Sequence, residues 1–201
     1  MTYSCAIFDG LDQDLTYDLQ SVPKTTDNEA KTKPFHYPLN ENGNGDDEKD
    51  ELYDAQIRKL RYIIRKANIL PGQRVLEIGC GWASLAILIA RSIPSTTVDA
   101  VTLSVHQQSM AQKRIDAAGL TDRITVHLMD YRCMPSDWEN AFDRVVSVEM
   151  VESVGQGFLE TYWSVVDWAL KPKDAVGVVQ VITIPEARAL PSIMSGVCKS
   201  D

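Results

Sequence analysis

The chain has 201 residues, 44% of them hydrophobic, and a formal net charge of −8. That length allows one domain with a sizeable core. The acidic balance argues against a nucleic-acid partner gripped through its phosphates and against a broadly basic membrane-binding face. Its four cysteines, Cys5, Cys80, Cys133 and Cys198, include no Cys-x-x-Cys pair. They read neither as a zinc site nor as a disulfide framework, so no metal is expected and a reducing, cytoplasmic setting is the simpler inference. The N-terminus lacks the basic region and apolar core of a signal peptide. The densest apolar run, residues 85–90, is far shorter than the ~20 residues needed to cross a bilayer.

In chain order, an apolar and aromatic opening (residues 1–8) stops at Asp9-Gly10. Residues 25–50 carry Pro34, Pro38, Gly43, Gly45 and many Asn, Asp and Glu. That composition buries little and predicts a disordered insertion. From residue 51 to 68, Leu52, Ala55, Leu60, Ile63, Ile64 and Ala67 recur at helical spacing. Arg58, Lys59, Arg61, Arg65 and Lys66 lie between them and predict a solvated basic face. Pro71-Gly72 ends that helix.

The remainder alternates. Strands are expected at 74–78, 97–103, 124–129, 144–148 and 176–182, and helices at 84–92, 105–118 and 157–170. Gly119 stands where a helix C-cap belongs. Such alternation predicts an α/β fold, a mostly parallel sheet with helices on both faces. Ligands of such sheets bind beyond the carboxyl ends of the strands. That edge gathers Gly79 and Gly81, Thr102 to Ser104, Asp130 to Arg132, Glu149 to Glu152, and Thr183.

One turn stands out. Val75-Leu76-Glu77-Ile78-Gly79-Cys80-Gly81-Trp82-Ala83 is a short apolar strand carrying an acid, followed by two glycines one residue apart and then a helical run. Glycine allows positive φ and close approach of a ligand to the main chain. The turn could simply pack a helix on a strand. A dinucleotide fingerprint is half matched, because Ser84 stands at the third small position. Neither reading needs the acid, whereas Glu77 suits a ligand bearing an ammonium group. Glu-x-Gly-x-Gly after an apolar strand resembles the nucleotide-binding turn of S-adenosylmethionine-dependent methyltransferases.

A wider set of motifs narrows this. Met1 to Ala6 reads Met-Thr-Tyr-Ser-Cys-Ala, and Leu76 to Trp82 reads Leu-Glu-Ile-Gly-Cys-Gly-Trp. Val-Thr-Leu-Ser at 101–104 with Gln107, Asp-Tyr-Arg at 130–132, Phe-Asp-Arg-Val-Val-Ser-Val-Glu-Met at 142–150 and Val-Gly at 154–155 follow in order. Together they resemble the cyclopropane-fatty-acyl-phospholipid synthase family, with Ile-Thr-Ile-Pro-Glu at 182–186 closest to its eukaryotic-type branch. The resemblance implies a Rossmann-like class I methyltransferase fold and transfer of a methylene or methyl group from S-adenosylmethionine to an unsaturated phospholipid acyl chain. A peripheral membrane contact would follow.

The resemblance also implies roles. Glu77, Gly79, Cys80, Gly81 and Trp82 would receive the methionine part of the cofactor, with Tyr3 and Ser4 closing over it. Thr102, Leu103 and Gln107 would take the ribose, since Asp99 comes too early in its strand. Asp130, Tyr131 and Arg132 would flank the adenine; a core position for Tyr131 and a surface ion pair for Arg132 are the rival readings. In the implied reaction an alkene carbon attacks the sulfonium methyl, and a base removes a proton from the transferred methyl so that a ring closes. Water must be kept from the intermediate carbocation. A bound bicarbonate would be that base, held by Cys5, Glu152 and Gln180. Against these roles, Cys5 also suits a small buried hydrophobe and Glu152 a helix-end acid.

Three departures stand out: Ser153 and Gln180 replace histidines of bacterial members, and Ala83 replaces a usual glycine. The family pattern would also extend before Met1 and after Glu186. On this reading residues 1–24 are an N-terminal active-site segment, 25–50 the insertion, 51–186 the cofactor-binding domain and 187–201 a divergent tail. The C-terminal strands are expected to be missing, and turnover by the chain is expected to be poor. Two other functions stay open: an inactive cofactor-binding remnant, and a methyltransferase with a small soluble acceptor.

Overall fold

The computed structural model describes residues 4–8 and 51–183; Tyr3, the 25–50 insertion, Cys198 and the 187–201 tail lie outside them. The described residues fall into two compact units, one holding 5–8 and 51–59, the other Ser4 and 60–183. In the smaller unit the Ile7 N–H donates to the Ala55 carbonyl, and the Arg58 guanidinium donates to the Ile7 carbonyl at 2.6 Å.

Helix α1 spans Glu51–Ala67. Acids in its first turn and Arg65 and Lys66 in its last complement the helix dipole. One residue departs from the expected solvated face: Lys59 is only 3% exposed. Its long aliphatic stem makes such coverage tolerable.

The larger unit alternates as expected. Its elements are β1 (Arg74–Ile78), α2 (Ser84–Ser92), β2 (Thr97–Thr102), α3 (Val105–Ala117), β3 (Ile124–Leu128), β4 (Arg144–Val148), α4 (Leu159–Ala169) and β5 (Val176–Gln180). The expected helix from 157 instead opens as a 3₁₀ turn, Gln156–Phe158, before α4 begins. Gly155 at φ 79° and Gly157 are poor helix formers and delay the start.

All described strand pairs are parallel, in the order β3-β2-β1-β4-β5. The chain moves outward through β2 and β3, then crosses back to lay β4 on the other side of β1. The carboxyl ends of β1 and β4 therefore flank the topological switch point, where open α/β sheets bind ligands.

Side chains alternate across the sheet and feed two cores. Val75, Val98, Ala100, Ile124 and Val126 pack with α1, α2 and α3, including Ile63, Ile89 and Ile115. Leu76, Ile78, Val101 and Val145 pack on the other face with Trp138, Phe142, Tyr162 and Val166. Asp99, half-buried in the middle of β2, binds Arg74 at 2.9 Å and His127 at 2.8 Å. Burial raises its pKa, but those two partners outweigh it and hold the carboxyl below its ordinary value. None of the described helices is long and apolar enough to cross a membrane.

Candidate active site

A cleft of about 610 Å³ opens along the carboxyl edge of the sheet. Its lining joins Gly79 after β1, Thr102, Leu103 and Gln107 around the start of α3, Asp130, Tyr131 and Arg132 after β3, and Glu149 and Met150 after β4. A smaller cavity of about 50 Å³ adjoins the turn and is lined by Ser4, Glu77, Gly79, Cys80, Gly81 and Trp82, among others. Thus every cofactor-binding residue singled out in the sequence, apart from Tyr3, lines one of these two spaces.

The turn owes its shape to its backbone. Gly79 has φ 83° and Gly81 φ 53°. The N–H groups of Gly79 and Cys80 both donate to the Val101 carbonyl at 3.0 Å. Those two donors tie the turn to β2, so at these positions the turn makes room for a ligand instead of donating to it. Ala83 also sits in the left-handed region, at φ 58°, and is fully buried. A glycine would adopt that conformation more cheaply, which gives a physical reason for the usual residue there.

Glu77 is 4% exposed, and one carboxyl oxygen, Oε2, has no hydrogen-bond partner. Burial drives its pKa up to about 8, against a smaller opposing effect of the Ala86 N–H that bonds to it. That N–H belongs to the first turn of α2, whose cap residue Ala83 offers no side-chain bond. Glu77 thus caps a helix from within the strand and still carries an unmet oxygen. Beside it, Cys80 is 5% exposed, and burial, reinforced by Glu77, raises its pKa far enough to keep it a thiol.

The α3 start is a bonded unit. Ser104 caps the helix by accepting the Gln107 N–H, and the Thr102 hydroxyl donates to the Gln107 Oε1 at 2.7 Å. After β3, Asp130 accepts the Arg132 N–H and guanidinium on both oxygens, at 2.5–3.1 Å. Its pKa is lowered chiefly by that bonding. Both rival readings are therefore physically present: Arg132 is an exposed ion pair, and Tyr131 is 8% exposed against Tyr162. Both also line the cleft. A ligand amine at Asp130 has to share the carboxylate with Arg132.

The residues assigned to a base site are exposed or held by other groups. Cys5 is exposed and belongs to the smaller unit. Glu152 is exposed and accepts the Ile182 N–H at 2.5 Å. Gln180 turns instead to Glu149, donating from Nε2 to Oε1 at 2.7 Å.

Arg114 was not singled out in the sequence. From the last turn of α3 its guanidinium donates to the Trp82 carbonyl and, at 3.2 Å, to the Ser84 hydroxyl. It braces the turn across more than thirty residues of chain, a contact that no local pattern announces. Arg114→Ala is expected to weaken binding of S-adenosylhomocysteine by roughly tenfold, and Arg114→Lys to recover part of it. Titration calorimetry of both variants checks this.

The parallel order with a cleft at the β1–β4 switch point defines a Rossmann-like fold of the class I methyltransferases. Solved structures agree. A cyclopropane synthase, MmaA2 from Mycobacterium tuberculosis, matches with TM-score 0.62 and 25% identity, over 76% of this chain and 51% of that one. Mycolic acid cyclopropane synthase CmaA1, solved with SAH and CTAB, matches with TM-score 0.58 and 26% identity, over 64% and 43%.

Residues 44–195 match the family model described as mycolic acid cyclopropane synthetase, and the chain belongs to that family. The cyclopropane-fatty-acyl-phospholipid synthase of Escherichia coli K12 is 46% identical over 124 residues, 62% of this chain and 30% of that protein. The chain spans about a third of the length of the curated relatives it matches.

Proposed function

We propose that the chain binds S-adenosylmethionine in the cleft and directs its methyl carbon to the double bond of an unsaturated phospholipid acyl chain. The observation that carries this reading is the buried, half-unmet carboxyl of Glu77 directly behind a turn that leaves space for a ligand. A cationic amine on the ligand answers that oxygen, and a nucleotide fits the larger space, whose volume is ordinary for a ligand site. The sulfonium supplies an activated methyl group. The chain's own residues hold and orient it: Gln107 and Thr102 at the ribose, Asp130, Tyr131 and Arg132 at the adenine.

Val101, Met129, Val148, Met150 and Val154 give the remaining wall an apolar surface that excludes water from an alkene acceptor. Leu103 and Phe158 line the same cleft at 70% and 53% exposure. They form an apolar lip suited to drawing an acyl chain from a bilayer, which is the peripheral membrane contact this reading requires. Glu152 would help hold a bicarbonate as the proton acceptor.

Expression in a host lacking cyclopropane lipids, followed by mass spectrometry of its fatty acids, tests the reading. Ring-bearing or methyl-branched acyl chains are expected. Cofactor binding with no change in the lipids would favour a small soluble acceptor or a remnant without turnover.

A further inference from the structure

Glu149 combines three features. It is a non-glycine residue at φ 49°, the left-handed conformation that strains a side-chain-bearing residue. It follows β4 at the switch point, two residues beyond Ser147, the register partner of Ile78, while Gly79 follows Ile78 directly. And it lines the cleft with a carboxylate held by Gln180 from β5 in two ways. The Gln180 side-chain amide donates to Glu149 Oε1 at 2.7 Å, and the Gln180 carbonyl accepts the Glu149 N–H at 2.8 Å. Backbone strain of this kind persists where surrounding structure enforces it, and it concentrates at functional sites. Gln180 is a neutral amide, so this bond orients the carboxylate without neutralising it.

The proposed cofactor placement leaves one assignment for this group. The ribose and adenine would lie towards β2 and β3, and the amino-acid end at the Gly79 turn. The sulfur that joins them would then be nearest the wall that β4 contributes. That wall is close: a Cβ built on Gly79 would come within 3.0 Å of Met150, the neighbour of Glu149.

We propose that Glu149, positioned by Gln180, is the residue that meets positive charge at the methyl-transfer end of the cleft, on the cofactor's sulfur and on the acceptor carbon beside it. This rests on the proposed cofactor site. It separates two roles that the sequence had merged: Gln180 serves the carboxylate at 149, and Glu152 stands apart on the Ile182 N–H.

The test needs no turnover. S-adenosylhomocysteine is neutral at sulfur, whereas sinefungin carries a cationic amine where the methyl sulfonium would be. Calorimetry on the whole chain is expected to show sinefungin preferred over S-adenosylhomocysteine by roughly tenfold, a charge-assisted bond's worth. Glu149→Gln should erase that preference, weakening sinefungin far more than S-adenosylhomocysteine. Gln180→Ala should reduce the preference in part. Glu149→Gly should raise the melting temperature, since glycine suits φ 49°, and should also erase the preference.

An unchanged preference in Glu149→Gln, with both ligands still bound, overturns the inference and leaves the cofactor site standing. Equal loss of both ligands in the Gln and Gly variants also overturns it, by making Glu149 a structural residue. A wild-type chain that binds neither ligand removes the cofactor site itself and the inference with it.

Discussion

Gly79→Val is expected to remove S-adenosylhomocysteine binding almost entirely, by roughly a hundredfold or more, equivalent to about 2.8 kcal/mol. Two separate effects meet at this position. A Cβ would lie 3.0 Å from Met150 Cγ and 3.1 Å from its Cβ, and the backbone sits at φ 83°, where an L side chain is strained. Strain and overpacking together should destabilise the fold by about 2–4 kcal/mol. Gly79 lines both cavities, so an added side chain takes space a ligand would use. Adding Met150→Ala separates the effects. The double variant should regain part of its melting temperature, because the clash is relieved, but not its affinity, because the ligand's path stays filled. Recovery of binding alongside stability would show that Gly79 matters only for packing.

Glu77→Gln is expected to reshape how both stability and binding respond to pH. The folded-state pKa of about 8 lies well above the 4.5 ordinary for a glutamate. Between these values the folded protein holds a proton that the unfolded chain gives up. The stability contributed by the protonated group is therefore complete below about pH 4.5, declines as pH rises, and is gone above about pH 8. Glutamine mimics the protonated acid, so the variant's melting temperature should lose this decline and exceed that of the wild type at pH 8.

Ligand binding should show the opposite sign. A cationic amine favours the ionised carboxylate, so binding near pH 7 should release a proton from the wild type and none from the variant. Calorimetry in buffers of different ionisation enthalpy reads that proton. The variant should also bind S-adenosylhomocysteine roughly tenfold more weakly. A wild-type melting temperature that rises from pH 5 to pH 8 as fast as the variant's would contradict the burial argument.

Much of the fold could be read because its signals are local. The β1 turn was visible as a strand, an acid and two glycines, and the alternation that followed implied a parallel sheet whose carboxyl edge collects ligand residues. Asp99, expected to come too early in its strand to reach the ribose, bonds to Arg74 and His127 and is not among the residues that line the cleft. What stayed hidden depends on contacts between distant segments. Arg114 reaches Trp82 from the end of α3, and Gln180 reaches Glu149 from the neighbouring strand. Neither pairing has a sequence period.

The left-handed backbone of Glu149 was hidden for another reason: the residue there is not glycine, the usual marker of positive φ. Asp130 lines the cleft, but its engagement by Arg132 two positions on depends on a turn geometry that composition does not specify.

We infer that the cleft over β1, β2 and β4 holds S-adenosylmethionine. The most direct measurement is a titration of the nitrogen-labelled chain with S-adenosylhomocysteine, followed through its backbone amide resonances. Saturable shifts are expected, concentrated at Gly79 to Trp82, Thr102 to Gln107 and Asp130 to Arg132. No shifts with S-adenosylhomocysteine, or shifts at these residues produced by NAD instead, would contradict it.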